Sequence, residues 1–406
     1  MPSLRFRRSR LVGAAGLLCA SILNAQGGAL TRARAVSDAL ARSPRTTILA
    51  ADTASAYASL LTARTLPNPT ISGVYSKDTP NYHLTADYPI DFLWVRGVRT
   101  QAAQLGRDAA RYRYIYGRAL VALDADTAYT RALALLEKSR LSARTAQDAD
   151  SLRKMAVARR NAGDASELDV QLATVSAAQQ ANVAAADSLA AVSALLDLQV
   201  VLGLATEHVE ISLADSLTDP PSGPAAQQGS PLPIVAADAA LQSALLQSRL
   251  QRKSVWSGTG VMFGVETGDP GGTGNSLLPT FGLSIPIPFF DRNKGGIARA
   301  DAERLRAESE LALARVETNA SIARATRERE NALARLARDR ITVAAANQVA
   351  AMSLTAYREG AMALPNVLEA QRTAREVLAQ YIDDLAAAWI ATASLRVFTL
   401  TSAGQP

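Results

Sequence analysis

The sequence predicts a mixed α and β fold built from a duplicated half-molecule, in which short strands pass directly into very long helices. The clearest observation is the segment Phe281–Gly296, FGLSIPIPFFDRNKGG, which is followed by a run without proline until Pro365. Alternating polarity before Pro286 indicates a strand with one apolar face. The prolines end that strand, and Asp291 or Asn293 is predicted to cap a new helix.

The second observation is that this strand-to-helix junction occurs twice. Pro89 and Pro286 are 197 positions apart, and so are Gly163 and Gly360. Each half reads as strand, junction, long helix, glycine turn and return helix. A repeat of this length exceeds the period of short solenoid repeats and indicates a duplicated half-molecule. The predicted halves are about residues 29–203 and 232–402, joined by a proline- and glycine-rich connector, 204–231.

The first 25 residues have the pattern of a secretory signal peptide. Four arginines precede the apolar run Leu11–Ala20, and small or polar residues lead to a cleavage-like Ala25. Residues 1–25 are therefore predicted to be removed, leaving 26–406 as one protomer. The only cysteine, Cys19, suggests lipidation as an alternative, although Leu18 stands where a small residue is expected. Without the four arginines the net charge of +6 falls to about +2, so the basic character does not indicate nucleic-acid binding.

Two hairpins are predicted, each preceded by a helix. A proline-containing turn joins the first pair of strands. The second loop, GDPGGTGN, is rich in glycine but lacks the Gly-Lys-Ser/Thr ending of a phosphate-binding loop, so a surface hairpin loop is predicted. The predicted ranges are a helix at Leu30–Arg64, strands at Thr70–Lys77 and Tyr82–Ile90, a helix at Pro233–Lys253, and strands at Val255–Thr267 and Ser276–Ile287.

The four strands have the character of an incomplete lipid-spanning barrel. Each is predicted to have roughly 10 residues and one apolar face, which matches the height of the hydrocarbon layer. Membrane barrels need at least about eight strands, so four cannot close alone. Three chains would supply twelve strands, and the predicted fold is a 12-stranded β-barrel completed by three chains and joined to an α-helical coiled-coil barrel.

The helix after each junction is far too long for a compact domain. The two helices, Val98–Ala162 and Ile297–Glu359, have about 65 residues each and are therefore about 100 Å long. The return helices, Leu168–Leu202 and Val367–Leu400, cover only half of that length, so the two shorter helices are predicted to stack on them end to end. A stripe with steps of three and four predicts coiled-coil packing of the second long helix: Leu305, Ser309, Ala312, Val316, Ala320 and Ala323.

Enzyme chemistry has little support in the sequence. The two histidines, His83 and His208, have no partner at catalytic or metal-ligand spacing. No nucleophile-elbow or dinucleotide-binding motif is present. No catalytic residue, cofactor or metal is therefore predicted. A periplasmic structural coiled-coil protein without a pore remains the alternative, and it would have no use for two hairpins of alternating polarity.

Three segments resemble the TolC family of outer-membrane efflux and secretion channels. ARRNAGDASELDV (Ala158–Val170) and AYREGAMALPNVLEAQ (Ala356–Gln371) are similar to the two helix–turn–helix tips of the family. FDRNKGGIARADAE (Phe290–Glu303) is similar to the heavy-metal and multidrug efflux branch. The resemblance covers essentially the whole chain after the signal peptide.

The resemblance implies a homotrimer that is a passive exit duct. Twelve strands would form a pore in outer-membrane lipid, and the helices would form a periplasmic tunnel that is closed at its tips. A periplasmic membrane-fusion adaptor, paired with an inner-membrane pump of the RND or ABC type, would open it for efflux or type I secretion. The transported substrate is set by those partners.

The resemblance also implies roles for residues at the two tips. Gly163 and Gly360 are both expected in the left-handed conformation that ends a helix. The residues expected to contact the adaptor are Gly163, Ser166, Gly360 and Leu364.

The two predicted tips differ in charge, which affects the expected gate. Pro365 and Asn366 stand where the family commonly has a hydrophobic residue and an acid, so one acidic ring from Asp169 is expected to alternate with neutral Asn366. Basic residues before each turn are expected either to pair with Asp169 and hold the tips shut or to solvate the helix ends: Arg159, Arg160 and Arg358.

Overall fold

The computed structural model describes residues 29–78, 80–204, 208–209, 211–223, 229–267 and 277–402. The predicted signal peptide, Cys19 and the glycine-rich loop 268–275 lie outside these residues. Within them the chain forms seven α-helices and four strands. Their order is α1 (Arg32–Arg42), α2 (Pro44–Arg64), β1 (Thr70–Tyr75), β2 (Tyr82–Pro89), α3 (Phe92–Ala162), α4 (Glu167–Leu202), α5 (Leu232–Lys253), β3 (Gly260–Thr267), β4 (Leu278–Ser284), α6 (Lys294–Arg358) and α7 (Leu364–Phe398).

The two long helices are continuous rods, as predicted. α3 has 71 residues and α6 has 65, so they are about 107 and 98 Å long at 1.5 Å per residue. Both begin a few residues earlier than predicted. The predicted single helix at Leu30–Arg64 was wrong, because α1 ends before Ser43 and Pro44 begins α2. Proline cannot donate the hydrogen bond of a helix interior but is well placed in a first turn.

The shorter helices are stacked end to end beside these rods. The N–H of Leu232, where α5 begins, donates to the carbonyl of Leu400 just beyond α7 at 3.0 Å. Gly203, which ends α4 with a φ of 67°, lies against Arg42 at the end of α1. The predicted stacking is thus confirmed, and each rod has a companion along its whole length.

The four strands form one antiparallel sheet in the order β1-β2-β3-β4. The two hairpins lie side by side through the pairing of β2 with β3, and β1 and β4 are the two edges. The strands have 6 to 8 residues, which is shorter than the ten predicted. Pro286 and Pro288 end the ladder of β4 early because proline has no N–H to donate.

One face of the sheet is apolar and exposed. A row of Ile71, Ala86, Phe263 and Phe281 crosses all four strands in register. Ile71, Phe263 and Phe281 are exposed in the single chain. This is the apolar face predicted from the alternation of the sequence.

The opposite face of the sheet carries its charged side chains and most of its hydroxyl groups. Ser72 and Thr85 share a hydrogen bond of 2.7 Å across β1 and β2. His83 and Glu266 face each other across β2 and β3, and Asp87 lies on the same face of β2. A sheet with one apolar and one polar face suits a wall between lipid and water.

The junction into α6 differs from the predicted cap. Asn293 is in the left-handed region with a φ of 53° and forms no side-chain cap. Its Nδ2 donates to the carbonyl of Gln251 and to Oγ of Ser254, both at 2.9 Å. Asp291 Oδ1 accepts from the N–H of Asn293 at 2.8 Å. The junction therefore ties the start of α6 to the end of α5.

The described part of the connector crosses the helices near the joints between stacked helices. Asp215 accepts a hydrogen bond of 2.8 Å from the hydroxyl of Tyr129 on α3. Burial raises the pKa of Tyr129 to about 12, and the hydrogen bond to Asp215 is the second cause of this increase. Further along, Thr218 accepts from the indole N–H of Trp389 on α7 at 2.6 Å, and Asp219 pairs with Arg340 on α6 at 2.5 Å. The connector thus links helices of both halves.

The predicted coiled-coil stripe of α6 does not pack within the chain, because all six of its residues are exposed. The residues of α6 that are buried against its own chain form a second stripe on the opposite side of the helix. This second stripe includes Ala300, Ala307, Leu311, Thr318, Ala325 and Ala332.

Candidate functional site

The first tip is a tight turn between α3 and α4. Gly163 has a φ of 85°, and its N–H donates to the carbonyl of Arg160 at 3.0 Å. The N–H of Asp164 donates to the carbonyl of Arg159 at 2.9 Å. These two bonds form the glycine-ended helix cap that the sequence predicted.

A capping box fixes the start of α4. Oγ of Ser166 accepts from the N–H of Asp169 at 3.1 Å, and Oδ2 of Asp169 accepts from the N–H of Ser166 at 3.0 Å. The same oxygen accepts from the Ser166 hydroxyl at 2.8 Å. The carboxylate of Asp169 is therefore committed to the first turn of its own helix.

The second tip uses the same turn but a different helix start. Gly360 has a φ of 79°, and its N–H donates to the carbonyl of Tyr357 at 3.1 Å. α7 has no side-chain cap, and Pro365 lies in its first turn. Because proline has no N–H, it leaves fewer donors to satisfy at this end. Asn366 is exposed beside it.

The two tips pack against each other through a small apolar core. Leu364 is only 1% exposed and lies in this core. It was predicted as an adaptor contact, but in the single chain its side chain supports the packing instead of offering surface to a partner. Gly163, Ser166 and Gly360 are exposed, and their docking role remains a prediction. The buried members of the core are Leu152, Ala156, Val170, Ala173, Tyr357, Leu364 and Val367.

Arg159 joins the two tips. One guanidinium nitrogen donates to the carbonyl of Tyr357 at 2.8 Å, and the other donates to the carbonyl of Asp164 at 3.4 Å. The guanidinium carbon lies 4.8 Å from the centre of the Tyr357 ring, within the range of a cation–π contact. Burial raises the pKa of the Tyr357 hydroxyl. One side chain therefore holds the end of α3 against the end of α6.

The predicted pairing of arginines with Asp169 does not occur among the described residues of one chain. Arg160 pairs with Glu167 at 2.8 Å, and hydrogen bonds from Arg160 and Gln171 hold the pKa of Glu167 below its ordinary value. Arg358 is exposed. Asp169 is occupied by its capping box, which the spacing Ser166-x-x-Asp169 already signalled.

Tyr357 is the tip residue that the sequence reasoning missed. Arg160 and Tyr357 are 197 positions apart and are equivalent in the internal repeat. Internal symmetry therefore brings Arg159 and Tyr357 to facing ends of two equivalent helices. The internal repeat is therefore the feature of the sequence from which this contact could have been predicted.

The comparisons with known proteins agree with this fold. Residues 233–399 match the sequence model of the family described as Outer membrane efflux protein. This region runs from α5 to α7 and includes β3, β4 and the second tip. No curated protein matches the sequence.

Several solved outer-membrane channels share the fold. CusC has 14% identity and a TM-score of 0.73, covering 91% of this chain and 92% of its own. VceC of Vibrio cholerae has 17% identity and a TM-score of 0.71, with coverage of 91% and 96%. CmeC of Campylobacter jejuni has 13% identity and a TM-score of 0.73, with coverage of 98% and 94%. Residues 233–399 thus match the outer membrane efflux protein family, and the described chain has the fold of solved outer-membrane efflux channels.

Proposed function

We propose that the chain is one protomer of a trimeric outer-membrane channel that serves as the exit duct of a tripartite efflux pump. The observation that carries the proposal is that the described four-stranded sheet has two open edges that lead into helices. β1 and β4 each have one side without a strand partner among the described residues. α2 leads into β1, and α6 follows β4, so the same two edges continue into the helices.

The helices at these edges carry exposed apolar stripes. On α6, Leu305, Val316, Ile341 and Met352 are separated by 11, 25 and 11 residues, close to three, seven and three turns. These residues therefore lie on one face, opposite the stripe that packs within the chain. A long helix that is apolar on two opposite sides needs a neighbour on each side.

The other edge has a matching surface on α4. Leu168, Val175, Leu189 and Val200 are exposed and are separated by 7, 14 and 11 residues, close to two, four and three turns. By length and composition alone, α4 could also cross a membrane. However, a third of the most apolar 18-residue segment of α4 is buried within the chain. Its outer face fits a subunit contact with α6 of the next copy.

The number of copies follows from the sheet. Two copies would give eight strands, and an eight-stranded barrel is only just wide enough for its own side chains. Three copies give twelve strands and leave space for a duct. The strand order lets β4 of one copy lie antiparallel to β1 of the next, which leaves no open edge in lipid.

The two faces of the sheet set the orientation of the channel. The apolar face carrying Phe263 and Phe281 would meet outer-membrane lipid, and the polar face would line the lumen. The rods of about 100 Å would extend through the periplasm as a tunnel that ends at the tips.

The duct itself would be passive, with its opening controlled at the tips. Arg159 holds the ends of α3 and α6 together, and a periplasmic adaptor that docks on the tip turns would separate them. An inner-membrane pump would then drive the substrate through. The family match and the shared fold support this division of roles.

This proposal is tested by measuring the mass of the purified protein and its conductance in a lipid bilayer. The chain purified in detergent should have the mass of a trimer and should form channels in a planar bilayer. Arg159→Ala should raise the open probability at least several-fold because the contact between tips is lost. Arg144→Ala, an exposed arginine earlier on α3, is the matched control and should behave as the wild type. A detergent-free monomer without channels would instead support the structural coiled-coil alternative.

A further inference from the structure

We infer that His83 and Glu266 make the ion selectivity of the channel mouth dependent on pH, an inference that rests on the proposed pore. Nδ1 of His83 lies 3.2 Å from Oε1 of Glu266. The two residues are direct partners across β2 and β3. Both side chains are about one quarter exposed, so they reach water and are held by the sheet.

The pair lies at the end of the sheet that is far from the helices. β1 and β3 are entered from α2 and α5, and β2 and β4 lead into α3 and α6, so all four helical connections leave from one end. His83 is the second residue of β2, and Glu266 is the second-last residue of β3. Both are therefore next to the hairpin loops, at the distal mouth of the proposed barrel.

The pair lies on the lumen face, as the register of the sheet shows. The exposed apolar row contains Ala86 and Phe263, which are three positions from His83 and Glu266 and therefore on the other face. Threefold symmetry would place three such pairs around one opening. An ion that leaves the tunnel has to pass them.

Few other charged groups share this surface. β1 contributes Thr70, Ser72 and Val74 to the same face, and β4 contributes Leu278, Thr280 and Gly282. Within the described strands the only further titratable group on this face is Asp87 on β2. Lys77 and Asp78 follow β1 and carry opposite charges. His83 is thus the one histidine on the lumen face of the described strands.

The charge of the lumen face of the barrel follows from His83, Asp87 and Glu266. With neutral histidine, each chain contributes Asp87 and Glu266, so a trimer carries six negative charges on the described strands. Protonation of His83 adds three positive charges and halves that total. Histidine changes charge between pH 5 and 8, whereas glutamate and aspartate stay ionised above about pH 5. A charged opening with walls of low dielectric focuses the field on passing ions.

The experiment measures the cation-to-anion permeability ratio from reversal potentials in a salt gradient across a planar bilayer. The pH of the compartment facing the barrel is lowered from 8 to 5.5 while the compartment facing the tips is held at pH 8. The ratio of the wild type should fall roughly twofold or more. His83→Gln should remove this fall and keep the high ratio at both pH values. Glu266→Gln should lower the ratio at pH 8.

Two matched measurements separate the possible outcomes. Lowering the pH on the tip side alone should change the ratio less than lowering it on the barrel side. Ser72→Ala, a neutral change on the same face, should leave the pH dependence intact. A His83→Gln channel that keeps the wild-type pH dependence would overturn this inference and leave the proposed pore standing. A wild-type protein that forms no channel would overturn both.

Discussion

The two tip glycines are required by backbone geometry and not by lack of space. Among the described residues other than its chain neighbours, none has a heavy atom within 4 Å of the position that a β-carbon would take at Gly163. At Gly360 the nearest is a guanidinium nitrogen of Arg159 at 3.6 Å. A side chain at Gly163 or Gly360 is therefore unfavourable because of the conformational free energy of a positive φ, and not because of a steric clash.

We expect Gly163→Ala and Gly360→Ala each to destabilise their tip by about 1 kcal/mol, because alanine resists the left-handed conformation. Amide hydrogen exchange at the ends of α3 and α6 measures this local effect. The control is Gly97→Ala inside α3, which has open space and helical geometry and should be neutral or stabilising. Equal behaviour of all three variants would show that the turns tolerate other conformations.

Asp169 has both a structural and an electrostatic role, and two variants separate them. Asp169→Asn removes the charge of the expected acidic ring and should lower cation preference in bilayers, with less block by divalent cations. Ser166→Ala weakens the capping box by about 1 kcal/mol but keeps the charge. We expect it to speed hydrogen exchange in the first turn of α4 without changing selectivity. If Asp169→Asn leaves selectivity unchanged, its carboxylate does not face the pore.

The sequence located the tip turns correctly but did not predict their side-chain contacts. Glycine followed by a new helix start is a local signal, so Gly163 and Gly360 were predictable. The contact of Arg159 with Tyr357 joins residues 198 positions apart and depends on how the two hairpins of helices pack. The burial of Leu364 has the same origin. A pattern along one helix does not show which face meets another helix.

The contact between α6 and α7 contains two carboxyl groups whose pKa values move in opposite directions. Burial raises the pKa of Asp339, and the hydrogen bond and charge of Asp384 raise it further. Burial also acts to raise the pKa of Asp384, but hydrogen bonds from Arg335 at 2.7 Å and Gln380 at 3.2 Å outweigh it and hold the pKa below its ordinary value. The pair thus favours one shared proton.

These shifts give a prediction for stability against pH. A carboxyl group whose pKa is raised by folding is most favourable below its unfolded value, and its contribution is lost as the pH rises through the folded value. Asp339→Asn is always uncharged and can donate to Asp384, so we expect it to unfold at a higher temperature than the wild type at pH 7.5. The difference should shrink at pH 4. Asp383→Asn, which removes the exposed pairing with Lys138, is the control and should not show this pH dependence. A lower unfolding temperature of Asp339→Asn at pH 7.5 would contradict the shared proton.

The helices and strands were predictable to different degrees, for physical reasons. The long rods follow from an absence of proline over about 65 residues, and their bounds were nearly right. β4 is shorter than predicted because the predicted strand extended to Ile287, although Pro286 has no N–H to donate to the ladder. The break at Pro44 was missed because alanine-rich sequence on both sides has the same helical character.

The proposed trimer depends on surfaces that are far apart in the sequence, and the exposed apolar stripe on α6 makes it testable. We expect Val316→Asp to lower the temperature at which the detergent-solubilised trimer dissociates, because a buried carboxylate without a partner costs roughly 3 kcal/mol or more per chain. Size-exclusion chromatography with light scattering after stepwise heating measures this.

The control for Val316→Asp lies one residue along the helix. Glu317→Lys changes the charge by a larger amount but lies 100° around α6 from the stripe and is exposed. It should leave the trimer as stable as the wild type. If both variants dissociate alike, the effect comes from charge on α6 in general, and the stripe is not the subunit contact.

The end-to-end joints between the shorter helices have a mechanical consequence. α3 and α6 are single helices with an unbroken hydrogen-bond ladder, whereas their companions are interrupted where α4 meets α1 and where α7 meets α5. A continuous helix transmits torque along its axis, but two helices in end contact can slip past each other. A twist applied at the tips would therefore travel to the sheet along α3 and α6 and be relieved at the joints. Rotation is thus transmitted by the two continuous helices, α3 and α6, and is accommodated where the shorter helices meet end to end.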